Sequence, residues 1–348
     1  MHLGILTPDT QQRCCFGDEE RYMRRLLATL RRMQDQARLF LFTSEEQHGS
    51  YEGWMRVAIG KVGGGRGGIA GLLGVGGPLA RAAKKAGVNA LFAPLAAAPV
   101  NPPLPLWLYI VDVRPWEPGG DRADDLKQAK RVCAEARGIV APSEHTRRRC
   151  LELFDVPLDK VVVAPPGVDA VFADPSETIV EKPYLMIVGD TCKTHNYPLV
   201  FKGLAQIQKE RLHTLVVTGT ACNAEPTDWG PRGVRIEKCP DAQLAGLYQN
   251  AEAVIFATLH DGSGQRILEA LRAGGVAVAP NLDAIPEVAG DYVLFYNHES
   301  VESFVRAVRR GLQEGPSNLD QRRRASKRAA EFSWEKCAWK ALSAFKRG

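Results

Sequence analysis

The chain has 348 residues, of which 45% are hydrophobic and 24% charged, with a formal net charge of +5. That length makes two domains of ordinary size, each able to bury its own core, and the composition excludes a disordered or fibrous protein. The basic residues are scattered over helices and aromatic residues make up only 7%, which disfavours nucleic acid, while the mild positive charge fits an anionic substrate, an acidic membrane surface or simply a solvated surface.

Strand-like runs alternate with helix-like ones along most of the chain, the pattern of parallel sheets covered by helices. The first half predicts strands at His2–Leu6, Leu39–Phe42, Ala90–Phe92, Leu106–Val111, Gly138–Ala141 and Val161–Ala164, with helices at Asp18–Met33, Ala123–Ala136 and Glu144–Phe154. Ser143 stands before the last of these as an N-cap. The glycine-rich run 60–77 lacks the G-K-[ST] ending of a phosphate-binding loop, and is expected to be either a mobile loop presenting Lys61 and Arg66 or a featureless insertion. The pattern restarts with strands at Tyr184–Val188, Thr214–Val217, Val234–Ile236, Ala253–Phe256, Val276–Val278 and Val293–Phe295. A polar stretch near Asp174 to Pro183 separates the halves, so the expected domains are 1–175 and 176–330. The final helix, 331–348, carries Trp334, Cys337, Ala338, Ala341, Leu342 and Phe345 on one face, a packing stripe. The fold class is α/β, two doubly wound Rossmann-like domains facing a cleft, with ligands at the carboxyl ends of the strands.

The eight cysteines, at 14, 15, 133, 150, 192, 222, 239 and 337, show no C-x2-C pair. A disulfide framework or zinc site is therefore not expected, and Cys192 with His195 lacks further ligands. No leader precedes the first strand and no apolar run reaches the ~20 residues of a membrane span, so a cytoplasmic location is expected, with contact at the inner face of the membrane left open through the basic helix Arg21–Arg32.

The most informative stretch is Leu259 to Gly275, L-H-D-G-S-G-Q-R-I-L-E-A-L-R-A-G-G. An apolar strand leads into Gly262-Ser263-Gly264, and a helix follows from Gln265 to Ala273, with Ile267, Leu268 and Leu271 inward. Glycines let a backbone approach a ligand, and amides at a helix start favour a phosphate. Asp261 and Glu269 flank this turn; an acid beside a bound phosphate can accept hydrogen bonds from sugar or ribose hydroxyls. The simpler alternative is a helix start with Asp261 as its cap.

Several segments in order resemble glycosyltransferase family 4, retaining enzymes of the GT-B fold: A-P-S-E-H-T-R-R-R-C-L-E-L-F-D-V-P-L-D-K-V-V-V-A-P-P-G-V-D at 141–169, Y-L-M-I-V-G-D at 184–190, the block 244–274, I-P-E-V-A-G-D at 285–291 and F-S-W-E at 332–335. The resemblance implies that the C-terminal helix returns to the N-terminal, acceptor domain and that the second domain holds a nucleotide-sugar donor. It places the family's two-acid motif on Asp261, against the donor hexose, and Glu269, on the nucleotide ribose. Asp261 stands where the family usually has Glu, setting its carboxylate back by roughly 1.5 Å. The donor would also be held by Gly262, Ser263, Gly264, Gly189, Thr218 and Gly219, with the base near 218–220 and 238–240.

Three positions depart from the family. Asp190 stands where an Arg is usual, His195 where a Lys is usual, and Val111 where an active-site His often precedes an Asp. The first two cations would hold the departing diphosphate, at roughly 1.5–3 kcal/mol per charged hydrogen bond. Lys193 and Arg266 are the residues placed to restore that charge. On the acceptor side, Asp112 and Arg114 either orient an acceptor or pair with each other, and Gly17 marks the N-terminal glycine loop. Asp261, Glu269 and Asp112 form the expected catalytic set. No D-x-D motif stands at the end of a strand, so no metal and no cofactor beyond the donor is expected.

The expected activity is transfer of a hexose from a nucleoside diphosphate sugar to a glycan or lipid-linked hydroxyl, with retention of configuration. The alternative is a degenerate GT-B protein acting as a noncatalytic partner or glycan-binding scaffold, motivated by Asp190, His195 and Val111. A partner glycosyltransferase and a role in polysaccharide synthesis follow only from the resemblance.

Overall fold

The computed structural model describes residues 2–6, 17–33, 38–43, 55–58, 77–174, 177–189, 194–219, 233–237, 239–315 and 317–347. The chain forms two compact units: one from the described parts of Met1–Arg13, Glu19–Pro165 and Glu335–Gly348, the other from those of Cys14–Asp18 and Pro166–Trp334. The chain thus passes from one unit to the next at Pro165–Pro166, ahead of the expected 175/176 boundary. The reason lies in packing, because Phe172 is buried in the core of the second unit with Tyr184, Tyr248 and Leu268.

The first unit holds β1 (His2–Leu6), α1 (Gly17–Arg32), β2 (Arg38–Thr43), β3 (Met55–Ala58), α2 (Pro78–Ala86), β4 (Ala90–Pro94), β5 (Leu106–Tyr109), α3 (Leu126–Glu135), β6 (Gly138–Ala141), α4 (Glu144–Phe154) and β7 (Val161–Val163). Its strands are all parallel, in the order β3-β2-β1-β4-β5-β6-β7. Neither β3 nor α2 was expected. The first is a four-residue strand paired with β2, and the second starts at Pro78, whose missing N–H costs nothing at a first helical position. The glycine-rich run that precedes it, up to residue 76, lies outside the described residues, as do Lys61 and Arg66. Ser143 caps α4, its Oγ accepting from the Thr146 amide at 3.0 Å.

The second unit holds β8 (Tyr184–Val188), α5 (Tyr197–Glu210), β9 (Thr214–Thr218), β10 (Gly233–Ile236), α6 (Asp241–Asn250), β11 (Ala253–Phe256), α7 (Gln265–Arg272), β12 (Ala277–Pro280), α8 (Ile285–Ala289), β13 (Leu294–Tyr296), α9 (Val301–Glu314) and α10 (Leu319–Ala330). Its strands are parallel in the order β10-β9-β8-β11-β12-β13. Side chains alternate across this sheet. Tyr184, Met186 and Val188 join the core with α6 and α7, whereas Leu185 and Ile187 join the core with α5 and α9. A strand buried on both faces reads as a continuous apolar run, which is why Y-L-M-I-V is legible as one.

The last helix, α11 (Trp334–Arg347), ends the chain, and from Glu335 onward it belongs to the first unit. Phe345 packs edge-on against Phe92 and Trp107, at centroid distances of 5.1 and 5.7 Å, and Cys337 lies 3.3 Å from the Tyr22 hydroxyl. The expected stripe is buried at all six positions. Among the described residues no helix is long and apolar enough to cross a membrane, and Cys133, Cys150, Cys239 and Cys337 form no disulfide.

In each sheet the strand order reverses once, between β1 and β4 in the first and between β8 and β11 in the second. A crevice opens beyond the carboxyl ends at such a point, and ligands of doubly wound sheets bind there.

The crossover P-P-G-V-D is clasped to the chain just ahead of α11: the Val168 amide donates to the Phe332 carbonyl at 3.1 Å, and a Cβ on Gly167 would lie 2.1 Å from the Trp334 backbone nitrogen. Backbone cannot yield as a side chain does. Gly167→Ala should therefore destabilise the protein by about 1–3 kcal/mol, read as a lower urea midpoint.

Candidate functional site

At the β8/β11 switch point the strand ends are tied together by the loops that leave them. His195 and Thr258 form an antiparallel bridge, the Asn196 amide donates to the Ala257 carbonyl at 2.6 Å, and the Leu259 amide to the Thr194 carbonyl at 2.8 Å. Gly189 ends β8 at φ +133°, and a Cβ there would meet His195 Nε2 at 2.2 Å. The imidazole therefore lies directly on the glycine, whose carbonyl accepts from the Tyr197 hydroxyl at 2.6 Å. Neighbouring β9 ends in the same way: the Gly189 amide donates to the Thr218 carbonyl, Thr218 is buried with its hydroxyl 3.4 Å from the Ile187 carbonyl, and Gly219 has φ +131°. Asp190, Lys193, Thr220 and Lys238, four positions that the family resemblance sets at or near the donor, lie outside the described residues, as does Cys192.

Beyond β11 the turn into α7 is built on Asp261. Its Oδ1 accepts from the Ser263 amide at 3.0 Å, the Gly264 amide at 2.6 Å and the Ser263 hydroxyl at 3.4 Å. Gly264 has φ +65°, and a Cβ would strike Val288 of α8 at 2.2 Å, so this position needs glycine twice over. The Ser263 hydroxyl then accepts from the Gln265 amide at 3.2 Å. The amides of Ser263 and Gly264, which the family resemblance sets against the donor's sugar and diphosphate, donate here to the protein's own carboxylate. Asp261 thus holds the turn that precedes the helix, while the N-cap position of α7 itself is Gly264. Arg266 and Ile267 follow in the first turn of α7, where amides have no partner within the helix.

Asp283, which sequence reasoning missed, supports the turn from the α8 side. Its Oδ2 accepts from the Asp261 amide at 3.0 Å and lies 3.5 Å from His260 Nδ1, while the Ala284 amide donates to the Asp261 carbonyl at 3.0 Å. Asp283 itself sits at φ 52°. Asp tolerates this left-handed conformation better than most residues, which is the one local signal that was available.

Glu269 is only 1% exposed. Its Oε1 accepts from Gln265 Nε2 at 3.2 Å and its Oε2 lies 3.7 Å from Arg266 Nη1. Gln265, also missed, is 2% exposed. Arg266 neighbours Cys239 too: burial and the Asp241 carboxylate push that thiol up, and the guanidinium pulls it down. The structure thus brings Asp261, Gly264, Arg266 and Glu269 onto one turn, joined to Gly189 and His195 through the bridge.

Two family models match the chain in succession, Glycosyltransferase Family 4 over residues 19–172 and Glycosyl transferases group 1 over residues 173–332. The chain belongs to glycosyltransferase family 4. Its fold is the GT-B pair of Rossmann-like units. It is 25% identical to the O-antigen chain mannosyltransferase B of Escherichia coli over 61% of each chain. It is 30% identical to the serotype-specific mannosyltransferase WbdA of the same organism over 31% of this chain and 13% of that one. The matches therefore span about three-fifths or less of these curated relatives. Among solved structures it is similar to sucrose-phosphate synthase from Thermosynechococcus elongatus (TM-score 0.76, 12% identity, 100% and 98% of the two chains). It is also similar to HepE of Anabaena in complex with UDP (TM-score 0.73, 14% identity, 100% of each).

In this family 4 chain Gly17 opens α1, and Asp112 follows β5 in the first unit. Asp112 Oδ1 accepts from the Arg114 amide and from Arg114 Nε, each at 2.9 Å, and Oδ2 lies 2.5 Å from Nη2. The two residues pair with each other, bidentately. Beside them is a carboxyl that the sequence reading passed over. Glu19, in the first turn of α1, is pushed up to about 8 by burial and by the Asp112 carboxylate, against the opposing pull of Tyr109 and Arg122. The Tyr109 hydroxyl also donates to the Glu19 carbonyl at 3.2 Å.

Glu19 makes the stability of the fold depend on pH. The folded chain keeps this proton up to about pH 8, whereas the unfolded chain releases it near 4.5. Stability from this group is therefore fully present below about 4.5, declines as pH rises to about 8, and is level above. The slope is no steeper than about 1.4 kcal/mol per pH unit. Glu19→Gln should flatten that decline and leave the variant more stable than the wild type at pH 8, measured by urea denaturation across the range.

Proposed function

We propose that the protein transfers a hexose from a nucleoside diphosphate sugar to a hydroxyl of a glycan or lipid-linked acceptor, with retention of configuration, and that the donor sits at the β8/β11 switch point. The observation that carries this is Glu269: a carboxylate one helical turn beyond a glycine turn, buried at 1% exposure, and held by Gln265 and Arg266. Burying a carboxylate is costly unless hydrogen bonds replace its water, and at the mouth of a doubly wound sheet the ribose hydroxyls are the fitting donors. The UDP in the HepE complex and the mannosyltransferase relatives support a sugar nucleotide as co-substrate.

In the reaction the bond between the anomeric carbon and the diphosphate oxygen breaks, the acceptor oxygen bonds to that carbon on the same face, and the acceptor's proton passes to the departing diphosphate. Catalysis then rests on orientation and on positive charge at the leaving group. Arg266 is the cation this turn supplies, the first-turn amides of α7 add the helix dipole, and His195 lies across the bridge to Thr258. Asp261 contributes by holding the turn in register. Asp112, paired to Arg114, is assigned to acceptor orientation, and no metal is invoked.

Calorimetry with UDP, GDP, ADP and their sugar conjugates tests the donor site. One nucleotide should bind saturably, and Glu269→Ala should weaken it by roughly 10- to 100-fold, the equivalent of a charged hydrogen bond. Indifference of binding to Glu269→Ala, or no binding from a folded protein, would overturn the assignment and favour a noncatalytic partner. Transfer activity should survive EDTA; its loss, with recovery on adding a divalent ion, would show that a metal carries the leaving-group charge.

A further inference from the structure

Gln265 is a buried polar side chain whose hydrogen bonding is incomplete. It opens α7, is 2% exposed, and lies one turn before Glu269 on the same line of the helix. Its Nε2 donates to Glu269 Oε1 at 3.2 Å. An ionised carboxylate only accepts, so the NH2 end of the amide must face it and the amide oxygen must point the other way. That oxygen is buried and meets no donor among the described residues. A leucine or methionine would fill much the same space without an orphaned acceptor, so packing alone does not account for glutamine here.

We propose that Gln265 is a positioning residue of the donor site, fixing the plane of the Glu269 carboxylate so that it can receive the two vicinal hydroxyls of the donor's ribose together. The proposal rests on the reading of Glu269 as the ribose-binding acid. A glutamate side chain has several rotatable bonds, and a carboxylate that must meet two hydroxyls at once loses affinity with each orientation it can wander into. Gln265 ties down one oxygen from the amino-terminal side of the helix. Arg266 Nη1, at 3.7 Å, flanks the other oxygen, so the two residues together define how the group is presented.

Calorimetry separates this role from a structural one. The probes are UDP, GDP and ADP with their 2′-deoxy and 3′-deoxy counterparts, and the proteins are the wild type, Gln265→Leu, Gln265→Met and Glu269→Ala, with thermal melting run on each. Gln265→Leu should melt at or above the wild-type temperature. It should nonetheless bind the preferred nucleotide about tenfold more weakly, the equivalent of about one hydrogen bond, and lose most of the wild-type preference for ribose over deoxyribose. Gln265→Met should behave alike, and stands in if the leucine variant does not fold. An unchanged ribose preference in Gln265→Leu or Gln265→Met, with or without a lower melting temperature, overturns the proposal when Glu269→Ala weakens binding as expected. If Glu269→Ala instead binds like the wild type, the ribose assignment fails and the role of Gln265 fails with it.

Discussion

The candidate donor site depends on the hydrogen bonds by which Asp261 holds its own turn. One oxygen takes two successive amides, those of Ser263 and Gly264, at 3.0 and 2.6 Å. This fixes where α7 begins and therefore the phase at which Gln265, Arg266 and Glu269 leave the helix. A helix has no freedom to rotate once its first turn is set, because the 3.6-residue repeat carries the error into every later position. The same turn is braced from the other side by Asp283 and by the contact between Gly264 and Val288. The segment I-P-E-V-A-G-D and the segment D-G-S-G are distant in sequence but form one piece of structure.

That arrangement changes what each acid can do. Asp261 is one methylene shorter than a glutamate, and its carboxylate folds over the amides two and three residues on, as aspartate does in a local turn. Glu269 lies one helical turn into α7 with a long side chain that meets the Gln265 amide and lies near the Arg266 guanidinium. One acid is thus an element of backbone architecture, and the other remains the group with recognition chemistry. Arg266 stands between the roles, close to Glu269 and to Cys239, so its charge is shared between the acid and the loop after β10.

Most of the fold was legible because strands buried on both faces show as unbroken apolar runs and their helices as amphipathic ones. His2–Leu6, Gly138–Ala141 and Tyr184–Val188 have the expected bounds. β3 was not legible, since M-R-V-A is too short to show a period and draws its identity from pairing with β2. At the site, the spacing of Asp261 and Glu269 was readable but not the direction of their carboxylates, because a sequence shows which residues share a turn and not which amide lies nearest. Asp283 and Gln265 escaped for a related reason. Asp283 is a partner only through a fold-back that brings α8 beside the turn, and Gln265 is polar in a helix whose start is expected to be polar. Glu19 was hidden in an ordinary run of acids, D-E-E, where only burial beside Asp112 distinguishes it.

Burial of polar groups does not by itself mark a functional site in this chain. His213 is fully buried, with Nε2 2.8 Å from Glu252 Oε2, and Glu252 Oε1 receives Arg211 at 2.9 Å while Gln208 brackets the His213 backbone with both ends of its amide. By connectivity this cluster is as elaborate as the one around Glu269. It stands, however, just before β9 and β11, at the amino ends of the strands, where doubly wound sheets present no crevice. Glu252 and His213 there close off the ends of two strands. Glu269 and Gln265 stand beyond the carboxyl end of β11, at the reversal of strand order, where the backbone opens outward through Gly189, Gly219 and Gly264. Two clusters of similar chemistry are separated by strand direction alone, and it is strand direction, set by the parallel pairing of the strands in the sheet, that puts one of them at the end where ligands of doubly wound sheets bind.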